Sequence, residues 1–157
     1  MRRLLLPLLA VLALVGCGEQ RPSDSVHHFL DTYVENDGRV VRHDQGGDTV
    51  SEGQAYAMLL SVAADDRDRF ARVWDWTRTH LRQPDGLLAW RWADGHVTSD
   101  EPAADADLDA ARALSLAAKR FGNARYAHDS RVLVRAIISG ETTWAASRTV
   151  LVEAFCS

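Results

Sequence analysis

A chain of 157 residues with a formal charge of -4 has the size of one domain and, after its first residues, no Lys/Arg block of the kind that neutralises phosphates. That excludes nucleic acid as a natural partner and suits a neutral polymer better. Of its two cysteines, Cys17 lies near the start and Cys156 near the end, so processing at Cys17 leaves no disulfide for the mature chain and stability must come from packing.

The chain opens with Arg2-Arg3 and an apolar run from Leu4 to Val15, broken only by Pro7. This reads as an export signal over residues 1–16, because a bilayer-spanning helix needs about 20 apolar residues. The run closes on Leu14-Val15-Gly16-Cys17, which resembles a bacterial lipobox. Lipidation of Cys17 would make it the first mature residue and anchor the protein in the cell envelope, at the outer membrane or periplasmic face. Gly18 follows, instead of the aspartate that favours inner-membrane retention. Residues 17–25 are polar and read as a tether.

Five amphipathic helices are expected next. Val26, Phe29, Leu30, Tyr33 and Val34 recur at helical spacing after the capping candidates Ser23 to Ser25, and Asp37-Gly38 ends the pattern. Ser51 opens the second helix, with Gln54 completing a capping box and Tyr56, Leu59, Leu60 and Ala63 as its apolar stripe. The third carries Phe70, Val73, Trp74, Thr77 and Leu81. The fourth carries Leu114, Ala117, Ala118 and Phe121 before Gly122-Asn123, and the fifth uses Tyr126, Val132, Leu133, Ala136 and Ile137 up to Gly140. Leu87 to Trp92 is the best extended segment, with Trp90 and Trp92 on one face. The fold class is therefore all-α, built from antiparallel helix pairs, with long loops before the second and fourth helices.

Those loops end on acids. Glu52 falls in one helical first turn, and Asp105, Asp107 and Asp109 alternate at the start of another. An EF-hand would want glycine at the sixth position and glutamate at the twelfth, where Ala110 and Leu116 stand, so no calcium loop is read there. Between the acids lie Trp74, Trp76, Trp90 and Trp92. Carboxyl groups with flat indole faces suit sugar hydrolysis, in which one acid protonates the leaving oxygen and rings hold the pyranose. A proton donor needs a raised pKa, which burial and a neighbouring carboxylate supply against the smaller pull of the helix dipole. Gly53, costly inside a helix, suggests a close approach to the backbone there.

The segments Ser51-Glu52-Gly53-Gln54-Ala55-Tyr56 and Ala103-Ala104-Asp105-Ala106-Asp107-Leu108-Asp109 resemble the two signatures of glycoside hydrolase family 8. Gly38-Arg39-Val40-Val41, Asp66-Arg67, Phe70, Trp74-Asp75-Trp76-Thr77, Leu81 and Ala89-Trp90 are also similar to that family, over about residues 29–138. Ala104 and Ala110 depart from its pattern. The resemblance implies an (α/α)6 barrel, without a cofactor or metal, that hydrolyses β-1,4-linked polysaccharide with inversion, cellulose-like glucan first among them. It also implies Glu52 as proton donor, Asp105 as the aspartate at the cleavage point, favoured over Asp107, and Trp90 as a stacking platform. Trp92, Tyr56 and Asp107 are the further substrate-binding candidates, and Trp74 is assigned to the core.

Family members take their water-activating base from beyond the aligned region. Residues 26–157 therefore read as a partial catalytic domain, an incomplete barrel whose open side invites self-association and whose activity alone is in doubt. Past Gly140, Glu141 and Glu153 sit in no recognisable motif. The competing expectation is a non-catalytic envelope lipoprotein that binds glycan without cutting it.

Overall fold

The computed structural model describes residues 24–145 and 148–151. The signal segment, Cys17, Ser23 and Cys156 lie outside the described residues. The five expected helices are present as α1 (Asp24–Tyr33), α2 (Ser51–Ala63), α3 (Arg67–His80), α4 (Ala104–Phe121) and α5 (Ala124–Gly140). Asp24 and Ser25, assigned to the tether, are already helical. No helix among the described residues is long and apolar enough to cross a membrane.

The helices associate as the binary pattern directs, with one exception. In α3, Phe70, Val73, Trp74 and Thr77 are buried, as expected, but so is Trp76. The Asp66 side chain caps that helix by accepting from the Arg69 N–H at 2.9 Å. α4 packs mainly against α2 and α5 through a face of Ala106, Ala110, Ala111, Ala113, Leu114 and Ala117, and those small side chains let the helices approach closely. Gly122, at φ +65, ends α4 in the left-handed conformation.

The exception is α2. Its expected stripe is not the buried face: Tyr56 is 50% exposed and Ala63 is exposed, whereas Gln54, Ala55, Ala57, Met58 and Ser61 are enclosed. A helix covered by α1, α3 and α4 has no single apolar stripe to display. The capping box is also absent. Val50 precedes the helix with no side-chain cap, the Ser51 hydroxyl is buried without a partner, and Gln54 turns inward. Its carboxamide accepts from the Val40 N–H and donates to Thr77 Oγ1 at 2.7 Å and to the Gly38 carbonyl at 3.3 Å. Gln54 thereby ties the loop after α1 to α3. Gly38 completes that tie: a Cβ there would sit 2.2 Å from the Arg72 carbonyl carbon.

The long loops hold a sheet of which only the central strand, overlapping the extended segment expected at Leu87 to Trp92, was foreseen. β1 (Thr49–Val50), β2 (Ala89–Ala93) and β3 (His96–Pro102) form an antiparallel sheet in the order β1-β2-β3. Both outer strands run opposite to β2 and so parallel to each other. β1 feeds directly into α2, and β3 reaches α4 through Ala103 alone. The two helices therefore leave from the same end of one sheet, on either side of its central strand. A hairpin of β4 (Thr142–Ala145) and β5 (Arg148–Leu151) follows α5, in a stretch rich in threonine and other residues that favour strands.

Candidate active site

The sheet register sets the geometry of the candidate acids. Val50 lies opposite Arg91 and Pro102 lies opposite Ala89, so the starts of α2 and α4 flank Trp90 on the central strand. Two strand spacings separate β1 from β3, roughly 10 Å. Glu52, in the first turn of α2, is partly exposed, and its Oε2 accepts the Trp90 indole N–H at 3.3 Å. Asp105, in the first turn of α4, is exposed and accepts the Ala106 N–H at 2.9 Å. Tyr56 lies one turn after Glu52 on the same helix face.

Asp107 does not share that exposure. Expected to touch substrate, it is fully enclosed, and its two oxygens accept from the Leu88 N–H at 3.1 and 3.4 Å. It cannot meet a sugar from there. Burial, reinforced by the charge of Glu141 and opposed by the Leu88 N–H, pushes its pKa up to about 8. Trp92 is partly buried, with its ring edge-on to Trp76 at 5.8 Å and to His80 at 4.9 Å. Trp76 in turn stacks on His80 at 4.4 Å. Much of the Trp92 ring is thus engaged with protein, while Trp90 is partly open beside Glu52. Trp74 belongs to the core, and its indole N–H donates to Asp129 at 2.9 Å.

Two carboxylates that no motif marked complete the surroundings. Asp48, almost fully buried, accepts from both Nε and a terminal nitrogen of Arg42 at 2.7 Å and from Arg91 Nε at 2.6 Å. The Arg42 hydrogen bond holds its pKa below the ordinary carboxylate value, against the opposing effect of burial. Arg42 also feels the charge of Glu52, so this clasp borders the candidate acid. Glu141, 4% exposed, follows α5 with both carboxyl oxygens unpartnered. Burial first, then the charges of Asp105 and Asp85, push its pKa up to about 7. Glu52 and Asp105 thus occupy unlike settings, one beside an arginine clasp and the other beside buried acids. Among the described residues no group of three or more His, Cys, Asp or Glu side chains could hold a metal ion.

Residues 5–154 match the profile of the glycosyl hydrolases family 8. A probable endoglucanase of Novacetimonas hansenii is 37% identical over 127 residues, which covers 78% of this chain and 37% of the relative. The solved endo-β-1,4-glucanase of Acetobacter xylinum overlays with a TM-score of 0.76 at 36% identity, over 80% of this chain and 41% of that one. A family 8 endoglucanase structure from Klebsiella pneumoniae gives 0.77 at 31% identity, over 82% and 43%. The chain therefore spans about two fifths of the length of these relatives. Its helices are antiparallel pairs of the (α/α)6-barrel type and form part of such a ring. By sequence and by fold, the chain belongs to the glycosyl hydrolases family 8.

Proposed function

We propose that this chain carries the acid-bearing part of a β-1,4-glucan hydrolase site. The observation that carries the reading is the sheet: β1 and β3 deliver the first turns of α2 and α4 to either side of Trp90, whose N–H holds Glu52. In this reading Glu52 protonates the departing glycosidic oxygen, Asp105 contacts the sugar at the cleaved bond, and Trp90 offers its ring face to a pyranose. The relatives named as endoglucanases support glucan as the substrate. Inversion needs a second carboxyl about 6.5–9.5 Å from the acid with a water between them, and the family supplies it from outside the stretch that carries these two signatures. The Arg2-Arg3 start, the apolar run and Leu14-Val15-Gly16-Cys17 support export and a lipid on Cys17. Loss of radiolabelled palmitate incorporation in Cys17→Ala tests that point, and undiminished labelling removes it.

Release of reducing ends from cellulose, chitosan and xylan, alongside calorimetric binding of cello-oligosaccharides, tests the site. Where the water-activating carboxyl is also present, glucan is the expected substrate, with cleavage abolished in Glu52→Gln. Trp90→Ala lowers oligosaccharide affinity roughly tenfold, equivalent to about 1.4 kcal/mol. Cleavage that survives Glu52→Gln undiminished removes Glu52 from the role of acid. Binding that Trp90→Ala weakens, with no cleavage of any of the three polymers even when the water-activating carboxyl is present, assigns the chain instead to non-catalytic glycan binding.

A further inference from the structure

Two buried carboxyl groups have no part in the site described above. Asp107 lies in the first turn of α4, fully enclosed, with the Leu88 N–H as its hydrogen-bond donor. Glu141 lies at the other end of the neighbouring helix, where its backbone N–H closes α5 on the Ile137 carbonyl at 2.8 Å. Its side chain is 96% buried and neither oxygen has a partner. Residues 85–88 join the two places. Leu88 donates to Asp107, Leu87 packs so tightly on Gly140 that a Cβ there would meet its Cδ1 at 2.9 Å, and Gly86 abuts Ala136. Asp85 holds the same turn by accepting the Leu87 N–H at 3.0 Å.

The groups that act electrically on these two carboxyls are acidic: Asp85 from the turn and Asp105 from α4 on both, and Glu141 on Asp107. Two ionised carboxylates buried together without a cation cost several kcal/mol, and a buried oxygen without a donor costs more again. A single proton relieves both costs. It cancels one charge, and it lowers the cost of the Glu141 oxygens, which the surrounding protein leaves without a donor. The backbone divides its preference between the two sites. The start of α4 favours an anion on Asp107, the end of α5 disfavours one on Glu141, and the deeper enclosure of Asp107 favours the proton there.

We propose that Asp107 and Glu141 form a buried acid pair that takes up protons as a unit, with Glu141 the positioning residue that fixes the first turn of α4 and hence the aim of Asp105. The consequence for Asp105 rests on the hydrolase reading, but the pair itself does not. Such a pair titrates as a unit. Both pKa values lie above the ordinary values of 3.8 and 4.5, at about 8 and about 7. The folded state therefore binds more protons than the unfolded chain between roughly pH 4 and pH 8. The stability this supplies is complete below that window and is lost as pH rises through it.

Thermal unfolding of the full chain from about pH 5 to pH 8.5, together with the pH titration of the Leu88 amide by NMR, tests the pair. The expected result is a midpoint that falls as pH rises, a decline reduced in Glu141→Gln, and a midpoint several degrees above the wild type in that variant at the alkaline end. The Leu88 amide shifts in a step near neutrality, and Glu141→Gln moves that step. Asp107→Asn, which keeps an acceptor for Leu88, flattens the same profile and provides a second route should the glutamine variant fold poorly. An unchanged pH profile in both variants overturns the proposal, as does a Leu88 step confined to the ordinary carboxylate range near pH 4. None of these readouts involves sugar, so an absence of cello-oligosaccharide binding with an intact titration sinks the hydrolase reading alone.

Discussion

Replacing Gln54 by alanine is expected to destabilise the fold by about 2–4 kcal/mol, while replacing Ser51 by alanine is neutral or stabilising. The figure follows from the partners. Loss of the Gln54 oxygen orphans the buried Val40 N–H, at about 1–3 kcal/mol, and loss of a fully enclosed side chain leaves a void costing about 1 kcal/mol more. The Thr77 hydroxyl loses a donor but still bonds the Val73 carbonyl at 2.7 Å, so it adds little. The Ser51 hydroxyl is already buried without a partner, and its removal relieves a desolvated group. A helix N-terminus held by a capping box responds the other way, losing about 0.5–2 kcal/mol with the serine and little with the glutamine. Urea unfolding of both variants at neutral pH separates the two cases. A Ser51→Ala loss larger than the Gln54→Ala loss refutes the inward role of Gln54.

Gly38→Ala is expected to cost more than about 3 kcal/mol or to prevent folding, since its Cβ would overlap the Arg72 backbone at 2.2 Å and φ is +96; expression and circular dichroism report it, and a normal melting midpoint contradicts the close crossing of loop and α3. Asp48→Asn removes the charge and one of the two accepting oxygens from three charge-assisted hydrogen bonds and should cost about 1–3 kcal/mol near pH 7, at the lower end because Arg42 and Arg91 are 35% and 41% exposed and regain water. Asp48 has a depressed folded pKa, so its contribution is complete above the ordinary value near 3.9 and fades as pH falls below it. The wild-type advantage over Asp48→Asn should therefore shrink in acid, and an advantage that grows there opposes the clasp.

The helices were legible because four of the five show one covered face. Phe70, Val73, Trp74 and Thr77 in α3 are spaced as that requires and are all buried. α2 defeated the same logic because neighbours cover it on several sides, and because its key buried residue, Gln54, is polar. The sheet was hidden for other reasons: β1 has two residues, and β3, His-Val-Thr-Ser-Asp-Glu-Pro, is largely polar. The choice between Asp105 and Asp107 was available in the spacing. Ala110, Ala111 and Leu114 stand three, four and seven residues after Asp107 and share its buried side of α4, which leaves Asp105 for the open side. Glu141 sits in no motif, and what brings it toward the start of α4 is the direct packing of α5 on α4 together with residues 85–88, which touch both.

The aim of both candidate acids depends on a short ladder more than on either helix. Trp90 falls between Ala89, opposite Pro102, and Arg91, opposite Ser99, where the pairing of β2 with β3 steps out of register, and a second step follows between Arg91 and Trp92. Irregularities of this kind raise local twist and redirect the side chain they carry. A one-residue slip would turn Trp90 to the opposite face of the sheet, away from Glu52, and would displace the start of α4 relative to α2. The Arg91–Asp48 bond ties β2 to the residue just before β1, while the Leu88–Asp107 bond ties the chain just before β2 to α4. Each bond uses a buried carboxylate whose replacement releases one side of the ladder. Asp48 and Asp107 are thus the two braces between which Trp90, Glu52 and Asp105 keep their spacing, although neither lies where a sugar could reach it.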